Sequence, residues 1–476
     1  MGIIRARYIK GYLWCIHVVI LGMLIITAGC AVYQPHPLPK QHVLAKNVDA
    51  LQLRVDTLKQ PEMTVCQVNP ADGLDLTDVA ILAVLNNPDL KVERARLKVS
   101  GAQLFAAGLL PDPQASFSLD HPTGNTTGLV TAWGFGLAYD LEKLVTHQAE
   151  IDAERQGLCQ VNLNLLWQEW QVMQQARSLS VQYLLEEQRL SLLKKMLTLY
   201  ESRYRRSAQG LADGNITLDV NGTDLTALVD AYSQISQIEQ SHNTTRHDLN
   251  LLLGLEADAA LPLAPLPTAK PLNPEWLKPQ LQSLSLRRPD LLALRAGYKS
   301  EEAKLRAAIL AQFPSLNVGV NRARDTSDVH TNGLSICLNL PIFSGNRGQI
   351  AVERATREQL REEYQARLAQ TDMDVRELID LQGIITRQMG VLDNYLPRMK
   401  ELVERASQAY DQGDIEALTF LNMESTCVNK QLERISLEQN LWENRIALET
   451  LLALPETVAA QVLPVGIGQD AHNQNQ

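Results

Sequence analysis

The chain has 476 residues, a formal net charge of -10 and an isoelectric point near 5.5. Proteins bind nucleic-acid phosphates through clusters of lysine and arginine. This chain is acidic and its charges alternate in sign along its helices, which argues against a nucleic-acid partner. The length allows two or three domains, but the internal duplication described below favours one intertwined unit.

Residues 1–29 have the features of a secretory signal peptide. Basic residues precede an apolar run at 18–26, and small residues lead up to Cys30. The segment resembles a bacterial lipoprotein signal, which implies that Cys30 is the lipidated first residue of the mature chain. In the same resemblance, Ala31 implies sorting to the outer membrane. The alternative is ordinary signal cleavage nearby, with the cysteine incidental.

Residues 30–75 are predicted to form a lipidated, extended tether, because Pro35, Pro37 and Pro39 lie close together ahead of a short polar stretch. The later cysteines show no CxxC spacing, so no disulfide framework is predicted. They are interpreted as free, buried thiols: Cys66, Cys159, Cys337 and Cys427.

The rest of the chain repeats one plan with an offset of roughly 200 residues. The matching motifs are Asn87-Pro88-Asp89-Leu90 with Arg288-Pro289-Asp290-Leu291, and Gly214-Asn215-Ile216 with Gly413-Asp414-Ile415. The predicted parts are a first repeat at 76–260, a linker at 261–277, a second repeat at 278–456 and a tail at 457–476. Each repeat is predicted to contain a helix, two strands and two long helices, in that order.

The first helix is predicted to begin with Thr77 as its N-cap and to stop at Pro111. Strict alternation of apolar and polar residues then predicts two strands within about 113–140, the second of them starting near Leu129, and two more within about 314–341. The polar side chains of these strands include Ser116, Ser118, Asp120, Asn317 and Asn339.

After each strand pair comes a very long helical stretch, from residue 142 to about 209 and from 347 to about 411. At about 1.5 Å per residue, such a stretch is roughly 100 Å long. A glycine turn and a shorter return helix follow, at 217–253 and 415–452. Apolar residues recur at spacings of three and four with charges between them, which is typical of helices that pack side by side.

Four alternating strands of about ten residues are long enough to cross a bilayer, but four strands cannot close a barrel. Open sheet edges in hydrocarbon would leave backbone groups without hydrogen bonds, so several chains must pool their strands. Three chains give twelve strands and a lumen. The polar residues named above are predicted to line that lumen.

The chain resembles the TolC-like outer membrane efflux family, lipoprotein branch, from about residue 74 to 455. The resemblance is carried by the two duplicated motifs, by Leu340-Pro341-Ile342-Phe343-Ser344-Gly345 after the last strand, and by Tyr410-Asp411-Gln412-Gly413-Asp414-Ile415 at the second turn. It implies a mainly α homotrimer in which a 12-stranded β-barrel in outer membrane lipid continues into a long α-helical barrel. It also implies a periplasmic adaptor protein that links the helix tips to an inner-membrane transporter. The docking residues would be Gly214, Asn215, Gly413 and Asp414.

Some residues depart from the family pattern. The best-known member has gate acids at the positions that correspond here to Thr419 and Asn422, which are neutral, so that acid gate does not carry over. Thr419 and Asn422 are kept as gate candidates by their position alone. The nearby acidic candidates for a replacement are Asp411, Asp414, Glu416 and Glu424. Ala453 also stands where the first repeat has a glycine, a change that we expect the junction to tolerate.

The leading functional hypothesis is an outer membrane channel subunit of a tripartite efflux system, which exports drugs or metal ions. A type I secretion or polysaccharide export duct would share the fold, and a coiled-coil envelope spacer without a pore is a more remote alternative. The sequence shows no nucleophile-and-base arrangement, phosphate-binding loop or metal-ligand spacing. Neither an enzyme nor a cofactor is therefore predicted.

Overall fold

The computed structural model describes residues 33–51, 73–124 and 128–454. The predicted signal peptide, Cys30, Cys66 and the predicted tail at 457–476 lie outside the described residues. The chain divides into two units, residues 1–44 and residues 45–476. In the first unit, residues 33–44 contain no helix or strand, and nearly all of them are exposed. The second unit contains every element described below.

Within the described residues, the first half of the second unit has four α-helices after the short 3-10 turn Val48–Ala50: α1 (Leu76–Asn86), α2 (Pro88–Ala107), α3 (Glu142–Ala212) and α4 (Leu218–Leu252). The predicted N-cap of α1, Thr77, is wrong. Asp75 is the cap: its carboxylate accepts the backbone N–H of Asp78 at 2.7 Å, and the Asp78 carboxylate accepts the backbone N–H of Asp75 at 3.3 Å. This reciprocal pair satisfies two backbone donors that would otherwise have no partner within the helix.

The second half repeats the plan. Its helices are α5 (Pro274–Gln282), α6 (Leu284–Arg287), α7 (Pro289–Leu310), α8 (Arg347–Gln412) and α9 (Ala417–Leu452). Helix α5 begins inside the segment that was predicted to be a linker. Helices α2 and α7 both carry proline at their first position, where its missing N–H costs no hydrogen bond.

Helices α3 and α8 have 71 and 66 residues, which corresponds to a length of roughly 100 Å each. Pro397 lies inside α8 without ending it. Each long helix turns into its return helix through a glycine with positive φ, Gly214 at +72° and Gly413 at +83°. No helix in the described ranges combines the length and the apolar character of a membrane span.

The four strands form one antiparallel sheet in the order β1 (Gln114–Asp120), β2 (Ala132–Asp140), β3 (Ser315–Arg324) and β4 (His330–Asn339). The two hairpins are joined through the pairing of β2 with β3. Strand β2 starts later than predicted, because the residues around Leu129 do not join the ladder; the N–H of Val130 donates instead to the carbonyl of Thr326, at 2.9 Å.

The two halves are held together mainly through α3, which packs against α4, α7 and α9. Arg177 of α3 and Glu449 of α9 form a buried ion pair at 2.7 Å. The indole N–H of Trp170 donates to the carbonyl of Thr450 at 3.2 Å. These contacts join residues nearly 300 positions apart, so neither half is packed independently of the other.

Part of the predicted tether is packed rather than free. The N–H of Ala45 donates to the carbonyl of Gly254 at 2.9 Å, and Val48 and Leu51 are buried in the core beside α1. Burial of two apolar side chains favours this docking over an extended, solvated segment.

The expectation of buried thiols is also corrected. Cys427 is buried, but Cys159 and Cys337 are exposed. Cys337 is exposed because the period of two places it on an open face of β4.

Candidate functional site: a two-faced sheet and two helix tips

The five residues predicted to line a lumen lie on one face of the sheet. Ser116 is opposite Gly136, which is in turn opposite Asn321, and the same face continues through Asn317 and Cys337. The remaining predicted members, Ser118, Asp120 and Asn339, share this face by the period of two. We call it the polar face. That it lines a pore remains a prediction.

Glycines on the polar face leave space that neighbouring serine side chains occupy. A Cβ atom at Gly136 would lie 2.6 Å from Ser116 Oγ, and one at Gly134 would lie 2.8 Å from Ser118 Oγ. The serine hydroxyls therefore occupy the space above the glycines, and bulky side chains are kept off this side of the sheet. The space in front of the polar face is left open as a result.

The opposite face is apolar and open. Phe117 is 71% exposed, Leu334 68% and Ile336 61%. Further exposed apolar residues on this face are Leu119, Phe135, Leu137, Val320, Leu338 and Leu340. A contiguous exposed apolar surface of this kind marks a membrane or a protein interface.

The predicted docking residues lie at the two turns between long and return helices. Gly214, Asn215, Gly413 and Asp414 are all exposed. The two turns close in the same way: the N–H of Asn215 donates to the carbonyl of Gly210, and that of Asp414 to the carbonyl of Ala409, both at 2.8 Å. Glycine is required just before each closing residue because the backbone there is left-handed.

The gate candidates divide into two groups. Five of them are exposed near the second turn: Asp411, Asp414, Glu416, Thr419 and Asn422. The sixth, Glu424, is only 8% exposed and lies in the interior. Glu424 is therefore not part of an acidic surface with the other candidates.

Glu424 belongs to a buried polar group that the sequence analysis missed. Arg203 and Asp224 form a buried ion pair at 3.4 Å between α3 and α4. Burial raises the pKa of the Glu424 carboxyl, and the nearby Arg203 guanidinium partly offsets that rise. Burial also raises the pKa of the Tyr200 hydroxyl, and Glu424 adds to the effect. A signal was present in the sequence: Tyr200, Arg203 and Ser207 continue the buried stripe of α3 at helical spacing.

Next to this group, α3, α4 and α9 enclose a groove of about 550 Å³. Met196 and Tyr200 of α3 form part of its lining, and Asn422 of α9 contributes to its wall. The polar face and the helix tips are at opposite ends of α3 and α8, so the candidate site consists of two separate surfaces joined by helices roughly 100 Å long.

Comparison with known proteins identifies relatives over most of the chain. Residues 280–454 match the family model described as "Outer membrane efflux protein". The chain is 24% identical over 466 residues to the probable outer membrane lipoprotein SilC of Salmonella typhimurium, with 91% of this chain and 97% of SilC covered. It is 23% identical over 396 residues to the cation efflux system protein CusC of Escherichia coli K12, with 78% and 84% covered.

Solved structures agree on the fold. The outer membrane channel CmeC of Campylobacter jejuni superposes with a TM-score of 0.66 at 15% sequence identity. The match covers 89% of this chain and 94% of CmeC.

Proposed function

We propose that the chain is an outer membrane efflux protein, the outer membrane channel subunit of a tripartite efflux system, because residues 280–454 match that family model and SilC matches 91% of the chain. In this proposal three copies pool their sheets into a 12-stranded barrel, and their long helices continue the channel into the periplasm. The chain has no role as an enzyme.

The observation that carries the proposal is the two-faced sheet. Its apolar face suits lipid and its polar face suits water. The outer edges of β1 and β4, which face away from β2 and β3, have no strand partner among the described residues. An unpaired edge in hydrocarbon would cost several kcal/mol for each backbone group left without a hydrogen bond. Pairing of β1 of one copy with β4 of the next removes both edges and closes the barrel.

We further propose that the exported solutes are cations, because the relative CusC is a cation efflux system protein. Support comes from the charges of the polar face. Within the four strands this face carries the carboxylates of Asp120 and Asp140 and no lysine, arginine or histidine. In a closed barrel of three chains these acids would repeat around the lumen and favour positive ions.

The partners follow from the same proposal. Cys30 would carry the lipid anchor, and the exposed tips at Gly214, Asn215, Gly413 and Asp414 would dock on a periplasmic adaptor that connects to an inner-membrane transporter. Asp411, Glu416, Thr419 and Asn422 are exposed residues close in sequence to the second tip and remain the gate candidates.

The test is single-channel recording of the purified protein in planar bilayers, with its oligomer mass measured in parallel. Trimers with discrete conductance steps and a cation-selective reversal potential are expected. The double variant Asp120→Asn, Asp140→Asn should keep the conductance steps but shift the reversal potential towards zero. The matched control Asp89→Asn removes an exposed carboxylate of α2 and should leave the reversal potential unchanged. Monomers without conductance would sink the pooled-barrel proposal.

A further inference from the structure

The apolar face of the sheet ends at different heights on its two hairpins. On β1 and β2 apolar side chains continue to Leu119 and Trp133, which are opposite each other. On β3 and β4 they stop at Val320 and Leu334, which are also opposite each other. Trp133 pairs with Arg324, four residues beyond Val320. The apolar boundary therefore drops by four residues between the first hairpin and the second.

Basic and polar side chains take over beyond that boundary. Arg322 follows Val320 on the same face and is opposite Phe135, and Arg324 follows it and is opposite Trp133. On β4 the corresponding positions are Asn332 and His330. The ring of His330 lies 6.2 Å from that of Trp133. The apolar face thus ends, at the loop end of the sheet, in a basic rim formed by Arg322, Arg324 and His330.

The apolar boundary crosses the strands at the angle that a membrane surface would make with tilted strands. This step rests on the proposed barrel. The drop of four residues corresponds to roughly 13 Å along the strands. The three inter-strand spacings from β1 to β4 correspond to roughly 14 Å across the sheet. The boundary therefore runs at about 45° to the strands, which is close to the tilt of about 35–45° that strands adopt in outer membrane barrels. One hydrocarbon surface, crossed by tilted strands, explains both heights.

Arg322 has no counter-charge among the residues that the structure describes. It is exposed and forms no hydrogen bond or ion pair with any described residue. The two nearby carboxylates are engaged elsewhere: Asp328 Oδ1 lies 2.8 Å from Arg324 Nε, and Asp325 Oδ1 accepts backbone N–H groups within the turn. On the polar face the neighbouring residue Ala323 is uncharged. The unpaired cation is therefore directed to the lipid side alone.

We propose that Arg322, with Arg324 beside it, binds a phosphate group of lipopolysaccharide in the outer leaflet. The loop end of the sheet is the end remote from the periplasmic helices, and lipopolysaccharide places phosphate next to acyl chains at that level. A guanidinium group binds phosphate through paired hydrogen bonds, and a long arginine side chain extends to the interface while its stem stays on apolar surface. Phe117 and Phe135, next to Arg322, would contact the acyl chains.

An arginine on the lipid side is strongly destabilising at the bilayer midplane but costs little near the interface. The position of Arg322 immediately beyond the apolar boundary is therefore consistent with the proposal. Arg324 lies two residues away, roughly 7 Å along the strand, and adds positive charge beside the same position. Because Asp328 engages the Nε of Arg324 at 2.8 Å, Arg322 is the main phosphate ligand in this proposal.

The test measures binding of lipid A to the full-length protein in detergent, with bisphosphorylated lipid A and chemically dephosphorylated lipid A as the two probes. The unsubstituted protein should bind the phosphorylated form about tenfold more tightly. Arg322→Gln should lose most of that difference, and Arg322→Lys should retain part of it because the charge remains but the paired hydrogen bonds do not. The control Arg354→Gln removes an exposed arginine of α8 and should change neither affinity.

Conductance of the same preparations separates the two proposals. If every variant forms trimeric channels but binds both lipids equally, the lipid site is wrong and the channel stands. If inorganic phosphate alone displaces lipid A at millimolar concentration, the rim is a general anion site and the lipid proposal is overturned. If the unsubstituted protein forms no channel, the proposed function fails, whatever lipid A does.

Discussion

Helices α2 and α7 occupy corresponding places in the two halves and begin with the same Pro-Asp-Leu sequence, yet the shared aspartate has opposite environments. Asp89 is exposed on α2, whereas Asp290 is 4% exposed on α7. Asp290 accepts two hydrogen bonds from Arg288, at 2.7 and 3.0 Å. It also lies 3.3 Å from Arg367.

The residue before the proline explains the difference. In the first half the neutral Asn87 donates to the carbonyl of Leu252 at 3.0 Å and caps α2 through the N–H of Leu90. In the second half Arg288 reaches the carbonyl of Leu451 at 3.3 Å, so its charge is buried and needs Asp290. The start of α2 is thus held by a neutral amide, and the corresponding start of α7 by an ion pair. The two junctions share their backbone geometry but differ in their electrostatics.

The largest expected effect is the difference between Asp290→Ala and Asp89→Ala. Removing Asp290 leaves the buried Arg288 without its carboxylate, which should destabilise the protein by about 3–5 kcal/mol. Removing Asp89 costs only its interaction with the helix terminus, about 1 kcal/mol or less. Thermal unfolding of the two variants in detergent measures the difference. Equal shifts in Tm would contradict the contrast between the halves.

The next effect concerns the C-terminal ends of the return helices. Gly254 has φ +72°, and a Cβ there would lie 2.8 Å from the backbone oxygen of Asn86, whereas Ala453 already occupies the left-handed region at φ +45°. Gly254→Ala should destabilise the protein by about 2–3 kcal/mol, through strain and a backbone clash. Ala453→Gly should stabilise it by up to about 1 kcal/mol, because the strain is relieved.

These two reciprocal substitutions are best compared by Tm under one set of conditions. A stabilising Gly254→Ala, or a strongly destabilising Ala453→Gly, would show that strain at these junctions is not what distinguishes the halves.

A pH effect is expected at one position of the second half whose counterpart in the first half has no titratable side chain. Glu301 of α7 is 4% exposed and stands where the first half has Ser100. Burial and the neighbouring Glu353 raise the pKa of the Glu301 carboxyl to about 7. The pKa of Glu353 is lowered because it accepts a hydrogen bond from Glu301. Lys304, 3.6 Å from Glu301, opposes the rise.

The folded-state pKa of Glu301 is above its unfolded value of 4.5, so the folded protein binds a proton between about pH 4.5 and 7 that the unfolded chain does not bind. Stability should therefore rise as the pH falls through 7. Glu301→Gln should raise Tm near pH 8 and flatten its dependence on pH, while Ser100→Ala should shift Tm equally at both ends of the range. A Glu301→Gln variant with the pH dependence of the unsubstituted protein would exclude this assignment.

The smallest effect on stability is expected at the tips. A Cβ at Gly214 or Gly413 would have no heavy atom within 4 Å, so alanine adds only left-handed strain of about 1 kcal/mol at either turn. If the tips dock on an adaptor, the same substitutions should impair cation tolerance of cells by much more than the small loss in Tm suggests. Unchanged tolerance in both variants would argue against docking at these glycines.

Much of the candidate site could be predicted because it depends on local periodicity. Ser116, Ser118 and Asp120 share a face of β1 whatever the rest of the chain does, since side chains alternate along a strand. The positions of the gate candidates could not be predicted in this way. Whether Glu424 faces outward or inward depends on how α9 packs against α3 and α4, and the charges of α9 alone do not settle it.

The sequence by itself determined the duplication, the order of helices and strands, the two faces of the sheet and the glycine turns, because each follows from short-range pattern or backbone sterics. Only the tertiary structure decided which polar groups are buried. Asp89 and Asp290 lie in the same Pro-Asp-Leu sequence, and nothing local to that motif separates them. The helices that pack against each one, and the charge of the preceding residue, decide whether the carboxylate meets water or an arginine.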